Sequence, residues 1–376
     1  MSVSYIPVKT KMLLWGKAAG RCQYKGCNKC LYEDGLTKAE FNTAYIAHIV
    51  ADKPNGPRGD AIRSDQLKHS LSNLMLMCDA HHRLIDKVDV AGHPESVLLA
   101  MKKAHEDRMA LISGISEDMA SEIVIYKANI GKHSPVLTYE ALSPFLLPTH
   151  YPAQKRAIDL GLANSPFRDK DARFWAVEEE NLVTQFNEQI RPKLRSGNTT
   201  HFSIFAFAPM PLLMKLGVLI NDIQRVKLHQ PVRTPATWNL TDELSDIKYV
   251  IKRPRKKHSK VALNISLSAT INDKRITDVL GDDCSIYTIT IKEPFNDFLK
   301  TKKTLDEFSI AIRKLFDAIK SKYNAQTPLH IFPAMPVTTA IELGRVWMPK
   351  ADMPLVIYDE NTANSGFFEA LQIINK

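Results

Sequence analysis

Cysteine placement constrains this chain more than any other feature. Four of its five cysteines, Cys22, Cys27, Cys30 and Cys78, fall early in a chain of 376 residues, and only Cys284 lies far beyond them. Half of the 12 histidines, His48, His69, His81, His82, His93 and His105, share that region. The N-terminus (Met1-Ser2-Val3-Ser4-Tyr5) shows no basic stretch followed by an apolar core, so no secretory signal is read and a cytoplasmic location is expected. In a reducing compartment, cysteines mixed with histidines read as metal ligands rather than disulfide partners. Residues 1–115 are therefore expected to form one small metal-supported domain.

Spacing separates two donor sets inside it. Cys22-x4-Cys27 and Cys78-x2-His81 are two short pairs on two turns, the arrangement of a tetrahedral structural Zn2+ site. Cys30 competes for a place, because Cys27-x2-Cys30 also has finger spacing; the bland alternative is small buried cysteines with a surface histidine. The second set is His48, Asn73, His82 and Asp86. Residues 44–50 and 73–78 read as short strands, and Asp79 opens a helix as its N-cap. His82 and Asp86, four apart, share one face of that helix and can hold one divalent cation with open positions. His48 on the facing strand is then free to act as general base, with the Asn73 amide fixing its tautomer.

The remaining chain reads differently. Residues 116–150 are punctuated by Ser134-Pro135, Ser143-Pro144 and Leu147-Pro148 and are expected as a connector. Residues 151–376 alternate apolar runs with helical patterns, so an α/β domain is expected. A degenerate repeat runs through it: Phe202 to Pro211 followed by Leu212 to Gly217, and Leu329 to Pro336 followed by Val337 to Gly344. Each copy reads as a strand, a Met-Pro turn and a helix stopped by Leu-Gly. Such units place ligands at the carboxyl ends of strands, near helix N-termini that attract phosphate. Pro209, Met210, Pro211, Met335 and Pro336 are therefore candidate ligand-binding positions. No Walker loop or GxGxxG occurs, so neither a nucleoside triphosphate nor a dinucleotide coenzyme is indicated.

Composition narrows the partners. With 50 Lys+Arg against 41 Asp+Glu, the net charge of +9 fits a polyanionic partner without requiring one. The run Arg253-Pro254-Arg255-Lys256-Lys257-His258-Ser259-Lys260 reads as a solvated basic loop or a DNA contact. The longest nearly uncharged apolar stretch, Phe202 to Met214, is too short to span a membrane, and no membrane partner is expected.

Two resemblances join these readings. His48, Asn73 and His82, with Cys78 and His81 embedded as N-x4-C-x2-H-H, resemble the ββα-metal motif of the HNH nucleases from about Cys22 to Asp86. That resemblance implies that His48 activates water, Asn73 orients it and His82 binds the catalytic cation, Mg2+ or another divalent ion. Ala47 stands where many members carry a further metal ligand, and Asp86 is taken as its substitute. Phosphodiester hydrolysis needs this combination: an activated water, and a cation at the charge developing on the leaving oxygen. Basic residues of the region, Arg58 among them, are candidate phosphate contacts.

Across 151–376, the repeat resembles the SAVED domain, a fusion of two CARF-like Rossmann-type units. It does so together with Asp171-Ala172-Arg173-Phe174-Trp175, Pro235-Ala236-Thr237-Trp238-Asn239, and the stretches 343–350 and 356–359. Trp238 is a candidate for stacking on a base, and Lys350 for meeting a ligand phosphate. The HNH–SAVED pairing resembles effector nucleases of CBASS antiphage systems. It implies a homo-oligomeric endonuclease that a cyclic oligonucleotide second messenger switches on to degrade double-stranded DNA. Two competing readings are an HNH restriction endonuclease that reads modified DNA and a non-catalytic, zinc-supported nucleic-acid-binding regulator.

Overall fold

A computed structural model describes residues 5–162, 164–197, 201–221, 225–361 and 366–374. The chain divides into two compact units, Met1–Ser116 and Glu117–Lys376. Among the described residues, no helix is long and apolar enough to cross a membrane.

The first unit opens with α1 (Val8–Ala18), which stops where Ala19 and Gly20 take positive φ. An antiparallel pair follows, β1 (Ala44–His48) and β2 (Leu74–Cys78), with the short α2 (Arg63–Leu67) between them. Register sets Ala44 opposite Cys78 and His48 opposite Leu74. The run Leu74-Met75-Leu76-Met77-Cys78 is buried on both faces, which explains why it is apolar without alternation. The chain turns directly into α3 (Asp79–Arg83) and a π-type turn over Leu84–Val88, and α4 (Glu95–Ser113) closes the unit. Cys78, not Asp79, is the N-cap of α3; the Asp79 carboxylate accepts instead from Arg83.

The second unit begins earlier than its sequence suggests. Residues 116–150, expected as a connector, contribute β3 (Ala120–Lys127), a buried strand at the centre of a sheet. Its alternation is hidden because both faces are covered; of the prolines that follow it, Pro135 and Pro148 flank α5 (Tyr139–Leu142) in loops and Pro144 sits in the 3-10 turn Ser143–Leu146 that continues it. Next come β4 (Tyr151–Pro152), β5 (Ile158–Asp159), α6 (Ala172–Gln185), α7 (Arg191–Ser196), β6 (Phe202–Phe207), α8 (Met210–Ile220) and β7 (Val226–His229). The second half adds β8 (Val250–Lys252), β9 (Lys260–Ser266), α9 (Asp273–Leu280), β10 (Cys284–Thr290), α10 (Lys302–Lys320) and β11 (Leu329–Ala334). It ends with α11 (Val337–Val346), β12 (Leu355–Asn361) and β13 (Gly366–Ile373).

Strand pairing shows how far the repeat extends. β5, β3, β6 and β7 lie side by side and parallel, and β10, β9, β11 and β12 repeat that order in the six-stranded sheet β13-β12-β11-β9-β10-β8. Each half is thus a Rossmann-like parallel sheet, and the two sequence repeats are its third strand and the helix after it. Gly217 and Gly344, expected as helix stops, lie inside α8 and α11. They sit where those two helices pack together, so the signal read as termination was a signal of close backbone approach.

Candidate functional site

The Cys/His donors come from the turn after α1 and from the junction of β2 with α3. Ligand atoms of Cys22, Cys27, Cys78 and His81 all lie within 4.8 Å of one another. His81 Nδ1 is 3.1 Å from Cys78 Sγ and 3.7 Å from Cys22 Sγ, and the Tyr24 ring stacks flat on the imidazole at 4.1 Å. Zinc bound to thiolates at ~2.3 Å spaces its tetrahedral ligands by roughly 3.8 Å, so three thiols and an imidazole at these separations fit such an ion. Burial pushes the Cys22 thiol up to about 12, a cost that a coordinated cation reverses by stabilising the thiolate. Cys30 stands outside the group: its backbone bridges to Arg21 and its thiol faces the Tyr32 hydroxyl.

Beside this cluster a cleft of about 250 Å³ is lined by Ile46, His48, Ala51, Asp52, Pro57, His82, Asp86 and Lys87. The buried His48 donates from Nε2 to the Lys68 carbonyl at 2.9 Å, which leaves Nδ1 as the basic nitrogen of a neutral ring. His82 Nε2 lies 3.3 Å from Asp86 Oδ2, a separation at which two ligands can share one ion. Burial lowers the His82 pKa against the opposing pull of Asp86, which favours the neutral, ligating imidazole. The Tyr45 ring stacks on His82 at 5.0 Å. With only two protein donors, the remaining coordination positions would fall to water and substrate, as is usual for Mg2+.

Two expected roles change. Asn73 spends its amide away from His48. Its Oδ1 accepts from the Val50 N–H and its Nδ2 donates to the Val50 carbonyl, both at 2.8 Å, so it clamps the backbone just past β1. The tautomer of His48 is set by Lys68 instead. Arg58, one of the candidate phosphate contacts, is buried in the protein's own bonds: Nε to the Ile49 carbonyl, one terminal nitrogen to the Ile85 carbonyl and the other to Asp86 Oδ1, each 2.7 Å long. It ties the end of β1 to the π-type turn and fixes the Asp86 carboxylate, the kind of outer partner that orients metal ligands. Asp52, four residues beyond His48, lines the same cleft and was missed, because nothing local distinguishes it from the other charges of its loop.

In the second unit, Pro209, Met210 and Pro211 sit at the carboxyl end of β6, and Met335 and Pro336 at that of β11, as the repeat implied. Four of the five are buried, with Met210 half-buried. At the helix N-termini beside them, some of the N–H groups are already used within the protein. Pro211 removes an N–H from the first turn of α8, and the Leu212 and Leu213 N–H groups donate to the Pro209 carbonyl. In α11 the Thr338 N–H and hydroxyl both donate to Gln230 Oε1, at 3.1 and 2.7 Å. Gln230 was missed because its partner lies in the other half of the unit, beyond the reach of any local pattern.

Trp238 is half-buried and packs edge-on to Phe205 at 5.5 Å, so its ring already has an apolar partner. Lys350 is exposed in the loop from α11 to β12, at the amino ends of the parallel strands. Topology therefore separates it from the Met-Pro turns, because α11 runs back along the sheet between them.

A family model described as the SMODS-associated and fused to various effectors sensor domain, SAVED, matches residues 182–373. No curated protein matches the chain. Similar solved structures include the SAVED/CARF-domain containing receptor Cap4 of Acinetobacter baumannii with the cyclic trinucleotide 2'3'3'-cAAA. It is 11% identical with a TM-score of 0.45, over 74% of this chain and 60% of that one. The same receptor with 3'3'3'-cAAA is 12% identical at a TM-score of 0.45, over 74% and 59%. Cap4 of Moraxella osloensis is 12% identical at 0.40, over 74% and 57%. The chain thus spans about three fifths of the length of these structures.

Proposed function

The chain belongs to the SAVED sensor-domain family, and from that premise we propose that it is a DNA endonuclease of antiviral defence, switched on by a cyclic oligonucleotide. Sensing is assigned to the second unit and cleavage of double-stranded DNA to the first. The observation that supports cleavage is a single cleft holding His48, His82 and Asp86 beside a four-donor Cys/His cluster.

In this reading Cys22, Cys27, Cys78 and His81 hold a structural zinc ion, and His82 with Asp86 holds Mg2+ or another divalent cation. When bound, that cation stabilises the negative charge developing on the leaving oxygen. His48 Nδ1 takes the proton of the attacking water while Nε2 stays bonded to the Lys68 carbonyl. Asn73 keeps the backbone after His48 in place, and Arg58 keeps Asp86 aimed at His82.

The test is plasmid DNA incubated with the purified chain and Mg2+, with and without a panel of cyclic oligonucleotides that includes 2'3'3'-cAAA and 3'3'3'-cAAA. Cleavage is expected only when both the metal and one of the nucleotides are present. Equal cleavage without any nucleotide would overturn the sensor reading. A second reading, a zinc-supported regulator that binds nucleic acid without cutting it, is favoured by Ala47 in place of a ligand and by the Arg58 charge on Asp86. It predicts retention of the plasmid without nicking under every one of these conditions.

A further inference from the structure

We propose that the loops at the amino ends of the parallel strands in the second half of the sensor unit bind the phosphate backbone of duplex DNA. The contact is separate from the cleft of the first unit. It rests on the reading of duplex DNA as the substrate and adds a second surface that holds it.

Charge is divided unequally between the two ends of this sheet. The loops that lead into β9, β10, β11 and β12 cover residues 253–259, 281–283, 321–328 and 347–354. They carry Arg253, Arg255, Lys256, Lys257, Lys322 and Lys350 against Asp282, Asp283 and Asp352. All six bases are exposed, and none of them forms an ion pair with a described residue. Two of the three acids are already engaged. Asp352 pairs with Arg313 at 2.6 Å, and Asp283 accepts from the Ser259 hydroxyl and lies 3.1 Å from His258 Nδ1. At the opposite end, the loops that leave β9, β10 and β11 hold Lys292 and Lys300 against Glu293 and Asp297, an even balance.

The most basic of these loops is held in place. The His258 N–H donates to Ser285 Oγ at 2.8 Å, and the Ser285 hydroxyl donates to the Lys256 carbonyl at 3.2 Å. Lys257 lies over the Tyr323 ring at 5.0 Å, which joins this loop to the one before β11. A loop fixed before binding loses less conformational entropy on meeting a rigid polyanion than a free one does. The strand order β10-β9-β11-β12 sets Lys322 and Lys350 along the same end of the sheet.

Chemistry and place select the partner. Exposed guanidinium and ammonium groups contact phosphate oxygens, and release of the counterions condensed on a duplex drives the association. The Met335-Pro336 turn lies at the other end of the strands: β9 spans seven residues, so roughly 20 Å separates the two ends. Pro254 apart, residues 252–260 offer no apolar side chain to enter a lipid layer, which disfavours a membrane.

Fluorescence anisotropy of a labelled duplex oligonucleotide reads the contact across a salt series, with the full chain in EDTA so that nothing is cut. The series is run alone and with the same panel of cyclic oligonucleotides. For wild type, log Kd is expected to rise linearly with log salt. Arg255→Gln/Lys256→Gln/Lys257→Gln removes three exposed cations and is expected to lower that slope by about 2–3 and weaken binding about tenfold or more at low salt. Lys350→Gln should lower the slope by about 1. The two variants alter separate loops, so a folding defect in one, seen in its unfolding midpoint, leaves the other to decide. Wild type that binds no duplex, or folded variants with the slope and affinity of wild type, would overturn the proposal. Loss of duplex binding accompanied by a changed sedimentation coefficient would assign these charges to contacts between copies and overturn it too. Failure of the cleavage reading looks different: the chain would bind duplex with the expected slope, lose it in these variants, and never nick plasmid with Mg2+.

Discussion

Gly217 in α8 and Gly344 in α11 meet back to back, one from each half of the sensor unit. A Cβ on Gly217 would lie 1.9 Å from the Ile341 carbonyl oxygen and 2.9 Å from the Gly344 Cα; one on Gly344 would lie 2.0 Å from the Met214 carbonyl oxygen. The obstacles are backbone atoms of the facing helix, which no rotamer change can move aside. These reciprocal glycines let the equivalent helices of the two Rossmann-like halves pack against each other, and they stand at equivalent places in the repeat.

Gly217→Ala is accordingly expected to destabilise the sensor unit by about 1–3 kcal/mol through overpacking. At an exposed helical site the same change would stabilise by roughly 1 kcal/mol. The sign of the shift in a urea unfolding midpoint decides between a tight crossing and a loose one. Gly344→Ala should move the midpoint in the same direction.

Cys22→Ser and Cys78→Ser are each expected to abolish zinc in elemental analysis of the purified protein, whereas Cys30→Ser retains it. Structural zinc sites contribute on the order of 10 kcal/mol to folding. Limited proteolysis should therefore digest residues 1–116 of the first two variants and spare the second unit. Zinc retained after both changes would remove the cluster as a metal site.

His48→Gln keeps a donor for the Lys68 carbonyl and removes the proposed base. It should lower plasmid nicking by about 10²–10⁴-fold without shifting the unfolding midpoint. Asn73→Ala leaves the Val50 N–H and carbonyl without their side-chain partner, at a cost of roughly 1–3 kcal/mol. Its loss of nicking should accompany a lowered midpoint of the first unit. If Asn73→Ala is inactive at full stability, Asn73 acts on the substrate and not on the backbone.

Burial, reinforced by the charge of Asp169, raises the Asp359 carboxyl to about 7. Between the ordinary carboxylate range and that value, the folded chain holds a proton that the unfolded chain has released. The stability this contributes is complete at acidic pH and is lost as the pH climbs through about 7. Urea midpoints measured at pH 5 and pH 8 should fall further for wild type than for Asp359→Asn. Equal falls would show that Asp359 does not carry the dependence.

Much of the architecture could be read without coordinates where the signal was local. The pairs Cys22/Cys27 and Cys78/His81 lie on two turns, and residue spacing on a turn determines which donors can converge. The strand–Met-Pro–helix repeat was visible for the same reason: alternation, proline and glycine act within a few residues. β3 was lost among prolines because a strand buried on both faces shows no alternation, and a proline-rich loop follows it closely.

The sequence by itself determined the donor types, the two-part organisation and the internal duplication, since all three rest on residue chemistry and short-range periodicity. Only the tertiary structure decided which atoms meet. It selected Cys22 over Cys30, turned Asn73 from His48 to Val50, set Arg58 on Asp86, capped α11 with Gln230 and pressed Gly217 against the helix of Gly344. Each of these joins residues distant in the chain, and their pairing follows from how whole elements pack. Local periodicity fixes which face an element presents, but not which partner, or which atom of that partner, it meets.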